Sequence, residues 1–307
     1  MTAILLGQQI AQLFLIMFLG YLIVKAGLLS SKDSKSLSIL IVYIICPCTI
    51  LNAFQIEYSA ETAGNFLLAV ASAVIIHIVV FLFTYILDRF FHFTSVEKAS
   101  VIYSNAGNLI IPLVTALLGE DWVLYASAFM VVQLFIIWTH GKSLIEGKRG
   151  ADMKAILTNV NLMACALGLV MFLLHVKLPA LVGNTVRSLG STVGPLSMLM
   201  LGMILAGVDI GAMVRKKRIW TVSLIRMIVM PALVLTVMKF SGLAKLSPEG
   251  VTILFISLMA TMTPSATTVT QMAQLYDNDV DTATGINTIT TLMCIATMPL
   301  MTMLYYL

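Results

Sequence analysis

The sequence predicts an all-α polytopic membrane protein of about ten transmembrane helices, built as two five-helix repeats of opposite topology. Three observations carry this prediction: a composition nearly free of charge, long apolar runs parted by short polar joints, and an alternation of Lys and Arg from joint to joint. Of 307 residues, 60 % are apolar and 10 % charged, whereas a soluble domain carries about 25 % charged residues. A helix rises about 1.5 Å per residue, so about 20 mostly apolar residues cross roughly 30 Å of hydrocarbon.

Apolar runs against polar breaks place helices near 4–24, 36–56, 64–87, 97–118 and 122–141. Five more are expected near 155–175, 189–208, 219–240, 250–275 and 281–305. The expectation is one membrane domain over 1–307, with repeats at 1–141 and 155–307 joined by a cytoplasmic loop at 142–154. The first run has no Lys or Arg ahead of it and no small-residue cleavage site behind it, so it is expected to persist as a helix. Cys46, Cys48, Cys165 and Cys294 fall inside apolar runs at spacings that match neither a zinc nor a redox pattern.

Positively charged joints stay cytoplasmic. Lys25, Lys32 and Lys35 follow helix 1, and Arg89 and Lys98 follow helix 3. Lys142, Lys148, Arg149 and Lys154 follow helix 5, and Arg215, Lys216, Lys217 and Arg218 follow helix 7. The intervening joints hold only Lys177, Arg187, Lys239 and Lys245. The odd joints are therefore cytoplasmic and both termini extracellular. This distribution explains the net charge of +4 without nucleic acid. Five helices per half is an odd number, so a repeat must be inverted. Pro112 and Pro264 fall in the fourth helix of each half, each followed by an acidic joint, Gly119-Glu120-Asp121 and Asp277-Asn278-Asp279. Pro47 and Pro195 form a second pair.

Helix 4 reads SNAGNLIIPLVTALLG, where Asn105, Gly107, Asn108 and Pro112 interrupt an apolar helix. Helix 9 reads ATMTPSATTVTQMAQ, with Thr263, Pro264, Ser265, Thr267 and Thr268 at the corresponding place. Proline removes a backbone donor and clashes with the carbonyl four residues earlier, a fault tolerable at membrane depth only inside the protein. Either proline alone is a packing kink; paired interruptions point to a midplane binding site. No Asp or Glu lies deep in a span, whereas a cation carrier usually buries a carboxylate. Neutral amides, hydroxyls and half-helix N-termini favour an anion. Arg226, about two turns into helix 8, is read as snorkelling to the interface or attracting an anion. His77, mid-helix 3, is read as a hydrogen-bonded core residue or a proton relay. Asn52 and Asn287 are further buried amides, either interhelical contacts or ligand contacts. No metal cluster, phosphate loop or nucleophile–base signature stands at usable spacing, so neither cofactor nor enzyme activity is expected.

Two stretches carry a resemblance. LGYLIVKAGLLSSKDSKSLSILIVYIICPCTILNAF is similar to the opening of the auxin efflux carrier family, and SNAGNLIIPLVTALLGEDWVLYASAFMVVQLFIIWTHG to its helix 4 and 5 block. The likeness runs on to TMTPSATTVTQMAQ and the MPL near the end. The central joint is only GKSLIEGKRGADMK, as in bacterial relatives, some of which are linked to malate or malonate uptake. The resemblance implies a bile-acid-symporter-like fold with helices 4 and 9 broken and crossing. It implies a scaffold of helices 1, 2, 6 and 7, an elevator-like transport domain, and a homodimer in a bacterial cytoplasmic membrane. It also maps a substrate-contacting asparagine onto Asn108 or Asn105. Thr263-Pro264-Ser265 offers hydroxyls where some relatives have asparagine, which argues against auxin itself.

The leading expectation is a carrier of a small organic anion, with protons or sodium as the coupling ion. An amino-acid or peptide-like exporter and, from another class, a ligand-gated pore or membrane sensor are the alternatives.

Overall fold

A computed structural model describes residues 3–55, 59–147, 153–207 and 216–306; the side chains of Gly107 and Asn108 are outside the described set. So are Glu57, Lys148, Arg149, Asp209 and Arg215, on which part of the charge reading rests.

Every named element among the described residues is a helix, and helix occupies each predicted apolar stretch. Five, Ser31–Ala53, Ala60–Phe91, Glu120–Glu146, Ala180–Ala206 and Lys217–Phe240, are long and apolar enough to cross a membrane. Val280–Cys294 with Ala296–Tyr306, bent by 54°, makes a sixth. Phe14–Lys25, Val160–Leu173 and Gly250–Met262 are shorter apolar helices.

The elements are α1 (Ala3–Lys25), α2 (Ser34–Leu40), α3 (Cys46–Ala53), α4 (Ala60–Phe91), α5 (Ser95–Ile102) and α6 (Ala106–Leu117). Then follow α7 (Val123–Ile136), α8 (Lys142–Glu146), α9 (Met153–Leu157), α10 (Val160–Leu173), α11 (Ala180–Gly190) and α12 (Val193–Ala206). The last are α13 (Lys217–Leu224), α14 (Met230–Phe240), α15 (Gly250–Met262), α16 (Thr267–Leu275) and α17 (Val280–Tyr306). A π turn at Ile41–Ile45 precedes Pro47, and another at Ile225–Val229 precedes Pro231. Each proline would clash with the carbonyl of Tyr43 or Met227, and the widened turn holding that carbonyl accommodates the ring.

Three boundaries correct the sequence reading. The fifth span continues through α8, so the loop placed at 142–154 is shorter. Lys142 and Glu146 pair at 3.7 Å one turn apart, and Gly147 at φ 73° supplies the left-handed residue that ends the helix. The seventh stretch begins earlier, at Ala180, because ALVGNTVRSLG is amphipathic and a search for apolar runs passes over it. The sixth is divided at Asn159, whose side chain accepts from Asn161 N and Leu162 N at 3.1 Å and so starts α10 afresh.

Contacts divide the chain into two compact units, each drawing on both halves of the sequence. The first comprises 1–64, 111–127 and 157–208. There α1 packs along α12, and α3 packs against α10 and α11. Thr49 Oγ1 donates to the Gly190 carbonyl at 3.1 Å, and Asn52 Nδ2 to Glu120 at 3.0 Å, with Arg187 3.6 Å from the same carboxylate. The Lys177 ammonium caps the Gln55 carbonyl.

The second unit comprises 65–110, 128–156 and 209–307. Asn65 donates to Glu249 at 2.8 Å, and Ser72 and Ser257 join α4 to α15 at 2.7 Å. Thr94 and Glu97 form a capping box at the start of α5, and the buried Glu97 carboxylate also takes a two-point contact from Arg218, at 2.6 and 2.8 Å. Removing that partner leaves a carboxylate 2 % exposed without its cation. Arg218→Ala should therefore cost about 1–3 kcal/mol, measured as a lowered unfolding temperature in detergent.

Candidate functional site

The feature that organises the second unit is the meeting of two helix breaks. Between α5 and α6 the chain runs through Tyr103, Ser104 and Asn105; between α15 and α16 it runs through Thr263, Pro264, Ser265 and Ala266. The two segments pair antiparallel at Ser104 and Ser265. Asn105 N donates to the Pro264 carbonyl at 2.8 Å, and Ala266 N to the Tyr103 carbonyl at 3.0 Å. Backbone groups that leave a helix at membrane depth must find partners, and here each break satisfies the other.

Pairing uses one edge of each segment, and side chains serve the opposite edge. Ser104 turns its amide and hydroxyl to Gln133 Oε1, at 3.2 and 2.6 Å, while Gln133 Nε2 donates to the Ser104 carbonyl at 2.7 Å. One carboxamide on α7 thus imitates a neighbouring strand. Ser265 receives the same service from α17: its amide donates to Thr290 Oγ1 at 3.1 Å, and Asn287 Nδ2 donates to its carbonyl at 2.7 Å. Thr267 Oγ1 adds a bond to Asn105 Oδ1 at 3.2 Å, tying the first residue of α16 to the residue before α6. The Ser265 hydroxyl is buried without a hydrogen-bond partner among the described residues.

One cation sits behind this pairing. Arg226, in the π turn at Ile225–Val229, is fully buried and donates to the Val101 carbonyl at 3.4 Å and to the Thr263 carbonyl at 3.1 Å. These carbonyls belong to the C-terminal ends of α5 and α15, where the helix dipole concentrates negative partial charge. The guanidinium does not snorkel, because those two oxygens offer it partners inside the protein. Beside it lies a cavity of about 10 Å3, lined among others by His77, Ser104, Gln133, Arg226 and Thr261. That is room for about one water molecule. His77 Nδ1 donates to the Ala73 carbonyl at 2.7 Å, and its ring lies 4.9 Å from that of Phe129.

The structure therefore brings together Asn105, Thr263, Pro264, Ser265, Thr267, Asn287 and Arg226, with His77 lining the adjoining cavity. Gly107, Asn108 and Thr268 lie in the first turns of α6 and α16. The Asn108 side chain, named from the resemblance, is outside the described residues. Asn52 is in the first unit, with its amide on Glu120.

Pro112 does not make the break in helix 4. It lies inside α6, seven residues beyond Asn105, and Ser104 rather than Pro112 is the structural counterpart of the Pro264–Ser265 break. The helix stops where paired partners exist for its backbone, and the proline is tolerated as an interior kink. Gln133, Ser104, Tyr103 and Thr290 were not singled out by the sequence. Their signal was a lone amide or hydroxyl in an apolar run, which interhelical packing explains equally well.

The model of a family described as "Membrane transport protein" matches residues 6–157 and 149–302. No curated protein matches the chain.

Proposed function

Because the chain belongs to the membrane transport protein family, the auxin efflux carriers, and is thus a multi-pass membrane transporter, we infer that it carries a small organic anion bound at the paired breaks. The observation that carries this reading is the pairing itself. It assembles the N-terminal ends of α6 and α16 with Asn105, Thr267 and Ser265 in one unit, and helix N-termini favour negative charge. The substrate class is a carboxylate or dicarboxylate such as malate, or an auxin-like acid. Asn105, Gly107, Asn108, Thr267 and Thr268 are the contacts proposed, while Thr263, Pro264, Ser265 and Asn287 hold the frame.

Two further parts of the reading have support. Ten spans in two inverted repeats agree with the correspondence of Ser104 to Ser265 and of Gln133 on α7 to Asn287 and Thr290 on α17. They agree also with family matches that divide the chain near residue 150. Elevator-type alternating access agrees with the grouping of the breaks and their braces in the second unit, and of α1, α3, α10, α11 and α12 in the first. In that mechanism the first unit is the scaffold and also the surface through which a homodimer would form. The location proposed is a bacterial cytoplasmic membrane with extracellular termini, and the coupling ion proposed is a proton or sodium.

The experiment is thermal stabilisation of the purified protein across dicarboxylates, monocarboxylates, indole acids and amino acids. A ligand that binds only the folded state stabilises it by about 2.7 kcal/mol at one hundred times its dissociation constant. Carboxylates should raise the unfolding temperature of the wild type and fail to do so in Asn105→Ala. Selective stabilisation by amino acids would replace this reading with that of an amino-acid exporter.

A further inference from the structure

Among the described residues of the second unit Arg226 is the most deeply buried charge, and none of their carboxylates pairs with it. An unpaired buried guanidinium is costly, so the charge must be balanced by something else. The two carbonyls it contacts mark the C-terminal ends of α5 and α15. Each helix end carries roughly half a negative elementary charge, so two such ends together offset about one positive charge. Arg226 and the two ends are thus neutral as a group. What is left at the pairing is the other pair of ends, the N-termini of α6 and α16, with a combined positive charge of about one. Without Arg226 the two pairs of ends would cancel and the pairing would hold no net charge.

We propose that Arg226 determines the charge of the substrate: it is a positioning residue that neutralises the C-terminal ends of α5 and α15 and so reserves the N-terminal ends of α6 and α16 for an anion. The cavity beside it, about 10 Å3, is too small for a carboxylate group, so the guanidinium acts through the helix ends rather than as a ligand. Its Nε, buried without an acceptor among the described residues, has room for one water there. The inference rests on the anion-carrier reading for its substrate and on the geometry of Arg226 for its charge.

The test compares the wild type with Arg226→Lys, Arg226→Met and the double variant Arg226→Met/Thr261→Lys, which returns a cation to the same cavity from α15. Dissociation constants are measured for acetate, malonate and indole-3-acetate, each against its uncharged carboxamide. Unfolding temperatures are measured without ligand. The expected result is that the preference of acid over amide falls at least about ten-fold in Arg226→Met, and returns in large part with either lysine. A residue that merely packs would lower the affinity for acid and amide alike, and an unchanged ratio in folded Arg226→Met overturns the proposal. The ligand-free measurement separates the two readings. If the wild type binds none of the acids, the anion carrier fails, and with it the substrate role of Arg226. The counter-charge itself then stands if both lysine variants are more stable than Arg226→Met, and falls if the apolar variant is the most stable.

Discussion

Gly202→Ala lowers the unfolding temperature by about 2–12 °C, the expected consequence of forcing α1 away from α12. A β-carbon on Gly202 would overlap the Met17 carbonyl and approach the Tyr21 amide, and one on Gly20 would overlap the Leu199 carbonyl. Backbone on both sides leaves no flexible side chain to give way. In lipid the helices have no hydrophobic drive to associate, so this contact depends on small residues that let backbones touch. Overpacking costs about 1–3 kcal/mol, and at roughly 2–4 °C per kcal/mol that is a shift a melting curve resolves. Gly64→Ala is the control. It lies in α4 with nothing within 4 Å of an added β-carbon, and alanine there is expected to be neutral or stabilising by up to about 1 kcal/mol.

The second large effect is expected at Gln133. Its carboxamide accepts from the amide and hydroxyl of Ser104 and donates to the same residue's carbonyl, and it is 5 % exposed. Gln133→Leu keeps the size and removes all of these bonds, leaving the buried amide and carbonyl of Ser104 without another partner among the described side chains. At about 1–3 kcal/mol for each orphaned group, the loss is on the order of 2–6 kcal/mol. Transport or ligand binding should fail before unfolding is complete, because Ser104 sits in the segment that pairs with Pro264 and Ser265. Gln133→Glu keeps the acceptor for the Ser104 amide and loses the donor, so it should fall between the wild type and Gln133→Leu in both stability and binding.

The helices were legible because hydrophobic runs of membrane length leave little else to fold. The breaks were legible as to existence and partner, and misplaced in one of the two helices. Pro264 stands in its break, but Tyr103-Ser104-Asn105 contains neither proline nor glycine, and Pro112 drew attention seven residues downstream. What stops α5 is a tertiary partner: the Tyr103 carbonyl and Asn105 amide are taken up by a segment some 160 residues away, which no local pattern announces. Asn105, directly before α6, is the helix-start signal that was available. Arg226 shows the same limit. A lone arginine two turns into a span has an interface within reach, and only the arrangement of α5 and α15 reveals two carbonyls closer at hand. The braces Gln133, Asn287 and Thr290 were single polar residues in apolar helices, and their purpose appears only once Ser104 and Ser265 lie opposite one another.

Binding of an organic anion where α6 and α16 begin should protect that place from thiol modification. With Cys46, Cys48, Cys165 and Cys294 replaced, Thr268→Cys places a thiol in the first turn of α16, and Thr185→Cys places one on the exposed face of α11 as reference. The rate of labelling by a small methanethiosulfonate is followed with and without malonate, malate and indole-3-acetate. At least one of these acids should slow labelling at residue 268 and leave residue 185 unchanged, while its carboxamide should protect neither. Equal labelling rates at residue 268 with every acid, in a protein that still transports one of them, would place the anion away from the start of α16.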